Sequence, residues 1–276
     1  MRLDAHQHFW RYTAEEFGWL TGELTSLRRD FLPGDLEPEL RANGVDGTIA
    51  VQARQTVEET RWLLELAVHH AWIRGVVGWV DLLAENVREE LARWAGNPKL
   101  VGVRHIVQAE PDREFVLRED FQRGIAALGE FGLAYDLLLY PKHLGPALKL
   151  VRAFPRQRFV LDHVAKPVIR AGLLEPWAMD LKALAAWGNV TCKLSGLVTE
   201  AWMQGWTQAD FEPYLEVALE AFGPERLMIG SDWPVCLAGG SYAETTGIVR
   251  NFITRLTETE QAEVLGGTCA RVYKIA

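Results

Sequence analysis

The chain has 276 residues, of which 49% are hydrophobic and 24% charged, a composition typical of a globular protein at the usual length of one barrel domain. Its formal net charge of −8 argues against nucleic acid as a partner, because phosphate backbones are bound by clustered Lys and Arg. No apolar stretch approaches the roughly 20 residues that span a bilayer, and no signal-peptide pattern is visible, so we expect a cytoplasmic protein without a membrane partner.

Short apolar runs alternate with amphipathic segments along the whole chain, which predicts parallel strands joined by helices. Eight strands are predicted, over residues 3–8, 47–53, 73–82, 100–107, 133–139, 158–164, 190–194 and 226–232. Helices are predicted over residues 58–71, 85–95, 121–131, 146–154, 176–186, 210–222, 242–255 and 258–265. This alternation predicts the α/β fold class and a TIM-type (β/α)8 barrel.

One domain covering residues 1–276 accounts for all of these elements. The segment 9–43 after the first strand is longer than an ordinary loop of such a barrel, and it carries Trp10 and Trp19. We therefore expect this long loop to cover a site at the mouth of the barrel.

The first strand ends in two histidines. His6 and His8 are two residues apart, so in a strand their side chains point to the same face. Two converging imidazoles suit a divalent metal, or an acid and base pair around a small ligand. The three cysteines are far apart and lack C-x-x-C spacing, so a thiolate zinc site is not predicted and the thiols are expected to be reduced and mostly buried.

Polar residues also follow the other predicted strands. In a (β/α)8 barrel the chemistry is built at the carboxyl ends of the strands, where all of these residues would meet. They are Gln52, Asp81, Arg104, His105, Tyr140, Asp162, His163, Lys193, Ser195, Asp232 and Trp233. For a single one, such as Gln52 or Lys193, a structural hydrogen bond or salt bridge is an equally good interpretation. Together they favour a polar active site.

Six segments, in order, resemble the amidohydrolase superfamily, and within it the sugar-lactone hydrolases of the amidohydrolase 2 type. They are DAHQHFW at 4–10, GWVDL at 78–82, GVRH at 102–105, LDHVAKP at 161–167, KLSGL at 193–197 and GSDWPV at 230–235. The resemblance covers almost the whole chain and implies an amidohydrolase-like barrel. It also implies roles for His6, His8, His163 and Asp232, which match the superfamily's metal-binding positions.

Departures from the superfamily pattern argue against a centre with two metal ions. Members with two metals also use a bridging lysine or glutamate on strand 4 and a histidine on strand 5, where this chain has Arg104 and no histidine. The expectation is one divalent ion, zinc, held by His6, His8, Asp232 and His163, since nitrogen and carboxylate ligands suit zinc. Metal-independent catalysis, known for related lactonases, stays open as the alternative.

The resemblance implies a lactonase that opens an aldonolactone to the aldonic acid, with L-fuconolactone or a similar 6-deoxy- or pentonolactone as substrate. Asp232 is the expected base, with His163 and Arg104 as further catalytic residues that bind or polarise substrate oxygens. The expected substrate-binding residues combine aromatic and polar side chains: Trp10, Gln52, His105, Tyr140 and Trp233.

Two alternatives remain, a zinc-dependent decarboxylase of an aromatic or unsaturated acid and a barrel that binds a sugar without chemistry. Asp162 is expected to point to the opposite face of its strand from His163, as a structural partner on the helix side. The role of Lys166 is left open, as is the oligomeric state, a homo-oligomer included.

Overall fold

The computed structural model describes all residues, 1–276, and its centre is an eight-stranded parallel sheet in which every strand pairs with the next along the chain. The strands are β1 (Leu3–Gln7), β2 (Gly47–Val51), β3 (Ile73–Gly78), β4 (Leu100–His105), β5 (Ala134–Leu137), β6 (Phe159–Leu161), β7 (Val190–Leu194) and β8 (Leu227–Ile229). The ring closes where the last strand meets the first, through a parallel bridge between Gln7 and Trp233. The predicted (β/α)8 barrel is confirmed.

Helices follow the strands and form the outer layer. They are α1 (Pro33–Ala42), α2 (Val57–His69), α3 (Val87–Trp94), α4 (Glu119–Phe131), α5 (Leu144–Ala153), α6 (Trp177–Ala185), α7 (Gln208–Phe222), α8 (Tyr242–Phe252), α9 (Glu258–Ala262) and α10 (Thr268–Tyr273). The long loop 9–43 contains a short 3-10 helix, Gly22–Leu27, followed by α1. None of the helices is long and apolar enough to cross a membrane.

Two apolar layers hold the barrel. The larger one packs the outer faces of the strands against the helices and contains 66 buried residues. The smaller one, of 12 buried residues, combines strand side chains such as Ile49 and Val77 with Cys269, Val272 and Tyr273 from α10. All three cysteines are buried and unpaired, as expected.

Most predicted strands are longer than the observed ones at the carboxyl end. The sixth was predicted over 158–164 but ends at Leu161, because a turn of left-handed backbone begins there. This early end changes which way the next side chains point, and it determines much of the site.

Candidate active site

A cavity of about 510 Å³ opens at the carboxyl ends of the strands. Its polar lining includes His8, Arg104, His163 and Asp232, while Trp10, Trp19 and Leu24 contribute an apolar wall. Those three apolar residues belong to the long loop 9–43, which therefore covers one side of the cavity.

His6, His8 and Asp232 form a buried cluster at the floor of this cavity. The Nε2 atoms of His6 and His8 are 3.2 Å apart, and Oδ1 of Asp232 lies 3.3 Å from Nε2 of His8 and 3.8 Å from Nε2 of His6. Nδ1 of His8 lies 2.8 Å from the carbonyl oxygen of Val51, which can only accept a hydrogen bond. Nδ1 therefore carries the proton, and Nε2 keeps its lone pair for a ligand.

The closure of the barrel places Asp232 against the two histidines. The backbone N–H of Asp232 donates to the carbonyl of His6 at 2.8 Å, and the N–H of His8 donates to that of Trp233 at 2.7 Å. Behind this junction the hydroxyl of Ser231 donates to the carboxylate of Asp4 at 2.6 Å. Asp232 itself has a φ of +57°, a conformation uncommon outside glycine, and these bonds hold it there.

His163 reaches the cluster from the loop after β6. Its Nε2 lies 3.9 Å from Oδ1 of Asp232, and its Nδ1 is 2.9 Å from the hydroxyl of Ser195. Gly196 allows this approach, because a Cβ at that residue would lie 2.6 Å from Nδ1 of His163. The carboxylate thus faces three imidazoles.

Four successive residues after β6 have left-handed backbone, from His163 to Lys166, with φ between 52° and 56°. L-residues in this conformation cost roughly 1–2 kcal/mol each, and Val164 adds β-branching. The turn is held by burial of Val164 and Ala165 and by the indole N–H of Trp177, which donates to the carbonyl of Val164 at 2.7 Å. Such strain is characteristic of functional sites.

Burial favours the neutral form of the histidines, whereas neighbouring imidazoles favour the ionised form of Asp232. Burial lowers the pKa of His163 to about 4, so its imidazole is neutral near pH 7. Burial also lowers the pKa of His6 well below its usual range. Burial opposes ionisation of Asp232, but the neighbouring imidazoles of His163, His8 and His6 outweigh it and hold the pKa of this carboxyl below its ordinary value. The site therefore holds a carboxylate beside the neutral imidazoles of His6 and His163.

Arg104 lies beside the cluster and is almost completely buried. Its Nη1 donates to Oδ2 of Asp162 at 3.0 Å and lies 3.3 Å from Nε2 of His6. Its Nη2 donates to both the backbone carbonyl and the side-chain oxygen of Gln52. Gln52 is thus a support for the guanidinium, and it does not line the cavity.

Beneath His6 lies a fully buried group of charges. Nζ of Lys193 is 2.5 Å from Oδ2 of Asp136, 3.0 Å from Oδ1 of Asp162 and 3.2 Å from Nδ1 of His6. The hydroxyl of Tyr273 donates to the carboxylate of Asp136 at 2.7 Å. Burial raises the pKa of Asp136 to about 6, against the attraction of Lys193.

The expectation that Asp162 points to the helix side is wrong. Its carboxylate contacts Arg104, Lys193 and His6 inside the barrel. Alternation of faces holds only within a strand, and β6 ends one residue earlier, at Leu161.

The other predicted site residues separate into two groups. Trp10 and Tyr140 line the cavity together with His8, His163 and Asp232. His105 does not, because it follows Arg104 on β4 and its ring stacks on Phe115, with Nε2 2.6 Å from Glu110. The indole of Trp233 is buried against Phe9 and Phe31 and also lies outside the lining.

Sequence reasoning missed two polar residues of the cavity wall, Thr199 and Glu200. Glu200 lies in the loop six residues after β7, beyond the strand end where polar residues were sought. Gln108 also lines the cavity, but nothing in the sequence distinguishes it from an ordinary surface glutamine.

The cluster fits a tetrahedral metal ion. With Zn–N bonds of about 2.0–2.1 Å, two ligand atoms of a tetrahedral centre lie about 3.3 Å apart. Two separations match that value, 3.2 Å between the Nε2 atoms of His6 and His8 and 3.3 Å from Nε2 of His8 to Oδ1 of Asp232, while the third, from Nε2 of His6 to Oδ1 of Asp232, is 3.8 Å. These three residues form one candidate ligand group, and His6, Asp162 and His163 form a second. The first is the better fit, because Asp162 is already paired with Arg104 and Lys193.

The chain belongs to the amidohydrolase family, since the family model described as amidohydrolase matches residues 3–275. An L-fucono-1,5-lactonase of Burkholderia multivorans is 43% identical over 286 residues, covering 100% of this chain and 96% of that protein. An L-fucono-1,5-lactonase of Burkholderia ambifaria is 40% identical over 278 residues, covering 99% of this chain and 96% of that protein.

A solved structure agrees with both fold and family. The crystal structure of an amidohydrolase from Burkholderia multivorans with bound zinc superposes with a TM-score of 0.96 at 43% identity and covers 100% of both chains. The sequence resemblance to the amidohydrolases is therefore confirmed.

Proposed function

We propose that this protein is a hydrolase that opens a sugar lactone to its aldonic acid, with L-fucono-1,5-lactone or a similar 6-deoxy- or pentonolactone as substrate. The observation that carries the proposal is the Asp232 carboxylate, held among three imidazoles at the floor of a cavity of about 510 Å³. The relatives named L-fucono-1,5-lactonase support the substrate class.

Asp232 is the proposed general base. Its low pKa keeps the carboxylate ionised at neutral pH, so it can accept a proton from water as the water oxygen attacks the lactone carbonyl carbon. When the bond between that carbon and the ring oxygen breaks, the same carboxyl group returns the proton to the leaving alkoxide. One water is consumed and one aldonic acid is formed.

Stabilisation of the negative oxygen formed in this attack comes from groups beside Asp232. A zinc ion, held by His6, His8 and Asp232 with His163 adjacent, would act there as a Lewis acid and lower the pKa of water. His163 and Arg104 line the cavity and are proposed to hydrogen-bond the substrate carbonyl oxygen. Arg104 is held for this role by Asp162 and Gln52.

The substrate ring is proposed to pack against aromatic side chains of the wall. Trp10 and Tyr140 line the cavity and offer apolar faces to a sugar ring. Gln52, His105 and Trp233 are assigned supporting roles, since they lie outside the lining.

The experiment is an acid-release assay with a pH indicator against a panel of aldonolactones, comparing wild type with Asp232→Asn. We expect a 6-deoxy- or pentono-1,5-lactone to be hydrolysed, and kcat to fall by roughly 10²–10⁴-fold in the variant, the usual contribution of a general base. Asp46→Asn is the matched control, because that carboxylate is exposed and bonds only the backbone N–H of Arg2. Failure of wild type to release acid from any lactone would refute the proposal.

A further inference from the structure

Lys166 and Glu200 face each other across the wall of the cavity. Both side chains line it, and they are only 15% and 21% exposed. Lys166 follows β6 and Glu200 follows β7, so the pair connects the same two loops that carry His163 and Ser195. It therefore lies on the wall next to the catalytic cluster.

Lys166 and Glu200 are too far apart for a normal hydrogen bond to each other. Nζ of Lys166 is 3.7 Å from Oε1 of Glu200, beyond the usual N–H···O hydrogen-bond distance of about 2.7–3.2 Å. An ammonium has three donors and a carboxylate can accept several hydrogen bonds. Both groups thus keep hydrogen-bonding capacity on the cavity side.

The backbone turn and the Tyr140 ring fix the position of the Lys166 ammonium. Lys166 is the last residue of the left-handed turn, with a φ of +52°, and its backbone N–H donates to the carbonyl of His163 at 2.7 Å. Its Nζ lies 5.5 Å from the centre of the Tyr140 ring, within range of a cation–π interaction. The strained turn that presents His163 to Asp232 therefore also presents Lys166 to the cavity.

Glu200 and the Asp232 carboxylate line the same cavity. Burial raises the pKa of Glu200, and Asp232 raises it further, while Lys166 opposes both effects. A substrate bound over Asp232 would consequently have the ends of Lys166 and Glu200 beside it.

We propose that Lys166 and Glu200 are specificity-determining residues that bind neighbouring hydroxyls of the lactone ring, one accepting from the ammonium and the other donating to the carboxylate. This inference rests on the proposed lactonase function and deepens it. The pair selects polyhydroxylated lactones, and Gln108, whose Oε1 has no hydrogen-bond partner, lies on the lining of the same cavity.

The test compares L-fucono-1,5-lactone with δ-valerolactone, which has the six-membered ring but no hydroxyls. Each is measured with wild type, Lys166→Met and Glu200→Gln. δ-Valerolactone is measured as a substrate, or as a competitive inhibitor if its turnover is too slow. We expect the preference for the sugar lactone to fall by about 10- to 100-fold in each variant, since each loses a hydrogen bond involving a charged group.

Lys182→Met is the matched control. Lys182 forms an ion pair with Glu220 at 2.8 Å on the outer helices, with side chains 45% and 70% exposed, and the preference should not change in this variant. Lys166→Arg, which keeps the charge and donors, should recover part of the preference.

Three outcomes distinguish the alternatives. Equal losses on both lactones would overturn the inference and assign the pair to catalysis or to folding. Unchanged rates on both lactones would overturn it and leave the pair as a simple ion pair. A wild type that releases acid from no aldonolactone of the panel would refute the proposed function itself, and the role of the pair with it.

Discussion

Oδ1 of Asp162 lies 3.0 Å from Nζ of Lys193, and neither side chain has any exposed surface. Oδ2 of the same carboxylate accepts a hydrogen bond from Arg104 at 3.0 Å, and Oδ1 is 3.3 Å from Nδ1 of His6. One carboxylate thus neutralises two buried cations and orients a proposed metal ligand. The stability of the barrel and the geometry of the site therefore depend on the same residue.

Asp162→Asn should lower the free energy of unfolding by about 3–5 kcal/mol, because it leaves the buried Arg104 without its counter-ion and Lys193 with only one of its two carboxylates. It should also weaken zinc binding by roughly 10- to 100-fold, the usual effect of removing a carboxylate that orients a ligating histidine. Urea denaturation and zinc titration at pH 7 measure the two effects.

Asp120→Asn is the control, because Asp120 pairs with Arg118 at the surface, where an ion pair contributes little. Its urea midpoint should stay close to that of wild type. If Asp162→Asn and Asp120→Asn had equal midpoints, the buried charges would not depend on Asp162 for their stability.

The barrel and its strand order could be predicted because the alternation of strands and helices runs the full length of the chain. The cluster could be predicted in part, since His6, His8, His163 and Asp232 lie near the carboxyl ends of predicted strands, and the carboxyl ends of parallel strands meet at one mouth. The protonation states of these groups depend on how deeply they are buried, and the periodicity of the sequence does not predict that.

Asp162 could not be placed from the sequence. The turn after β6 reads Asp-His-Val-Ala-Lys and contains no glycine to indicate positive φ, although four of its residues adopt it. His105 illustrates the opposite case. It is adjacent to Arg104 on β4, and neighbouring residues of a strand point to opposite faces, so only one of the two reaches the cavity.

Zinc should stabilise the protein through His8. Since Nδ1 of His8 is bonded to the carbonyl of Val51, Nε2 is available to the metal in the folded state. Zinc at 100 times its dissociation constant should therefore raise the free energy of unfolding by about 2.7 kcal/mol in chelator-treated protein. Thermal denaturation with and without zinc measures this gain.

His8→Ala should lose most of that zinc-dependent gain, whereas His69→Ala, at an exposed residue near the end of α2, should keep it. An equal gain in His8→Ala and wild type would mean that zinc binds elsewhere on the chain.

The stability of the wild type relative to Glu59→Gln should decrease as the pH rises. Burial raises the pKa of Glu59 from its ordinary value of 4.5 to about 7. The folded state therefore binds a proton that the unfolded state has released, so the stabilising contribution is complete below pH 4.5 and is lost as the pH rises through about 7. The glutamine variant stays neutral. Its free energy of unfolding relative to that of wild type should therefore rise by up to about 3 kcal/mol between pH 5 and pH 8.

Urea denaturation at these two pH values measures the difference. Glu65→Gln is the control on the exposed face of the same helix and should follow the pH dependence of wild type. A constant difference between wild type and Glu59→Gln would show that this carboxyl has the same pKa in the folded and unfolded chain.

Gly196→Ala should impair catalysis more than it impairs folding. The new Cβ would lie 2.6 Å from Nδ1 and 2.7 Å from Cγ of His163, so the imidazole must shift from its place beside Asp232. A displacement of about 1 Å at a catalytic group can cost 10²-fold in rate, and we expect kcat/KM for the lactone to fall by that order.

Gly172→Ala separates this effect from backbone strain, because Gly172 has a similar φ of +65° but nothing within 4 Å of the added atom. Both variants should lose comparable stability in urea, roughly 1–2 kcal/mol, and only Gly196→Ala should lose activity. Equal kcat/KM values in the two variants would mean that the reaction does not depend on the position of His163, and Asp232 would then act without it.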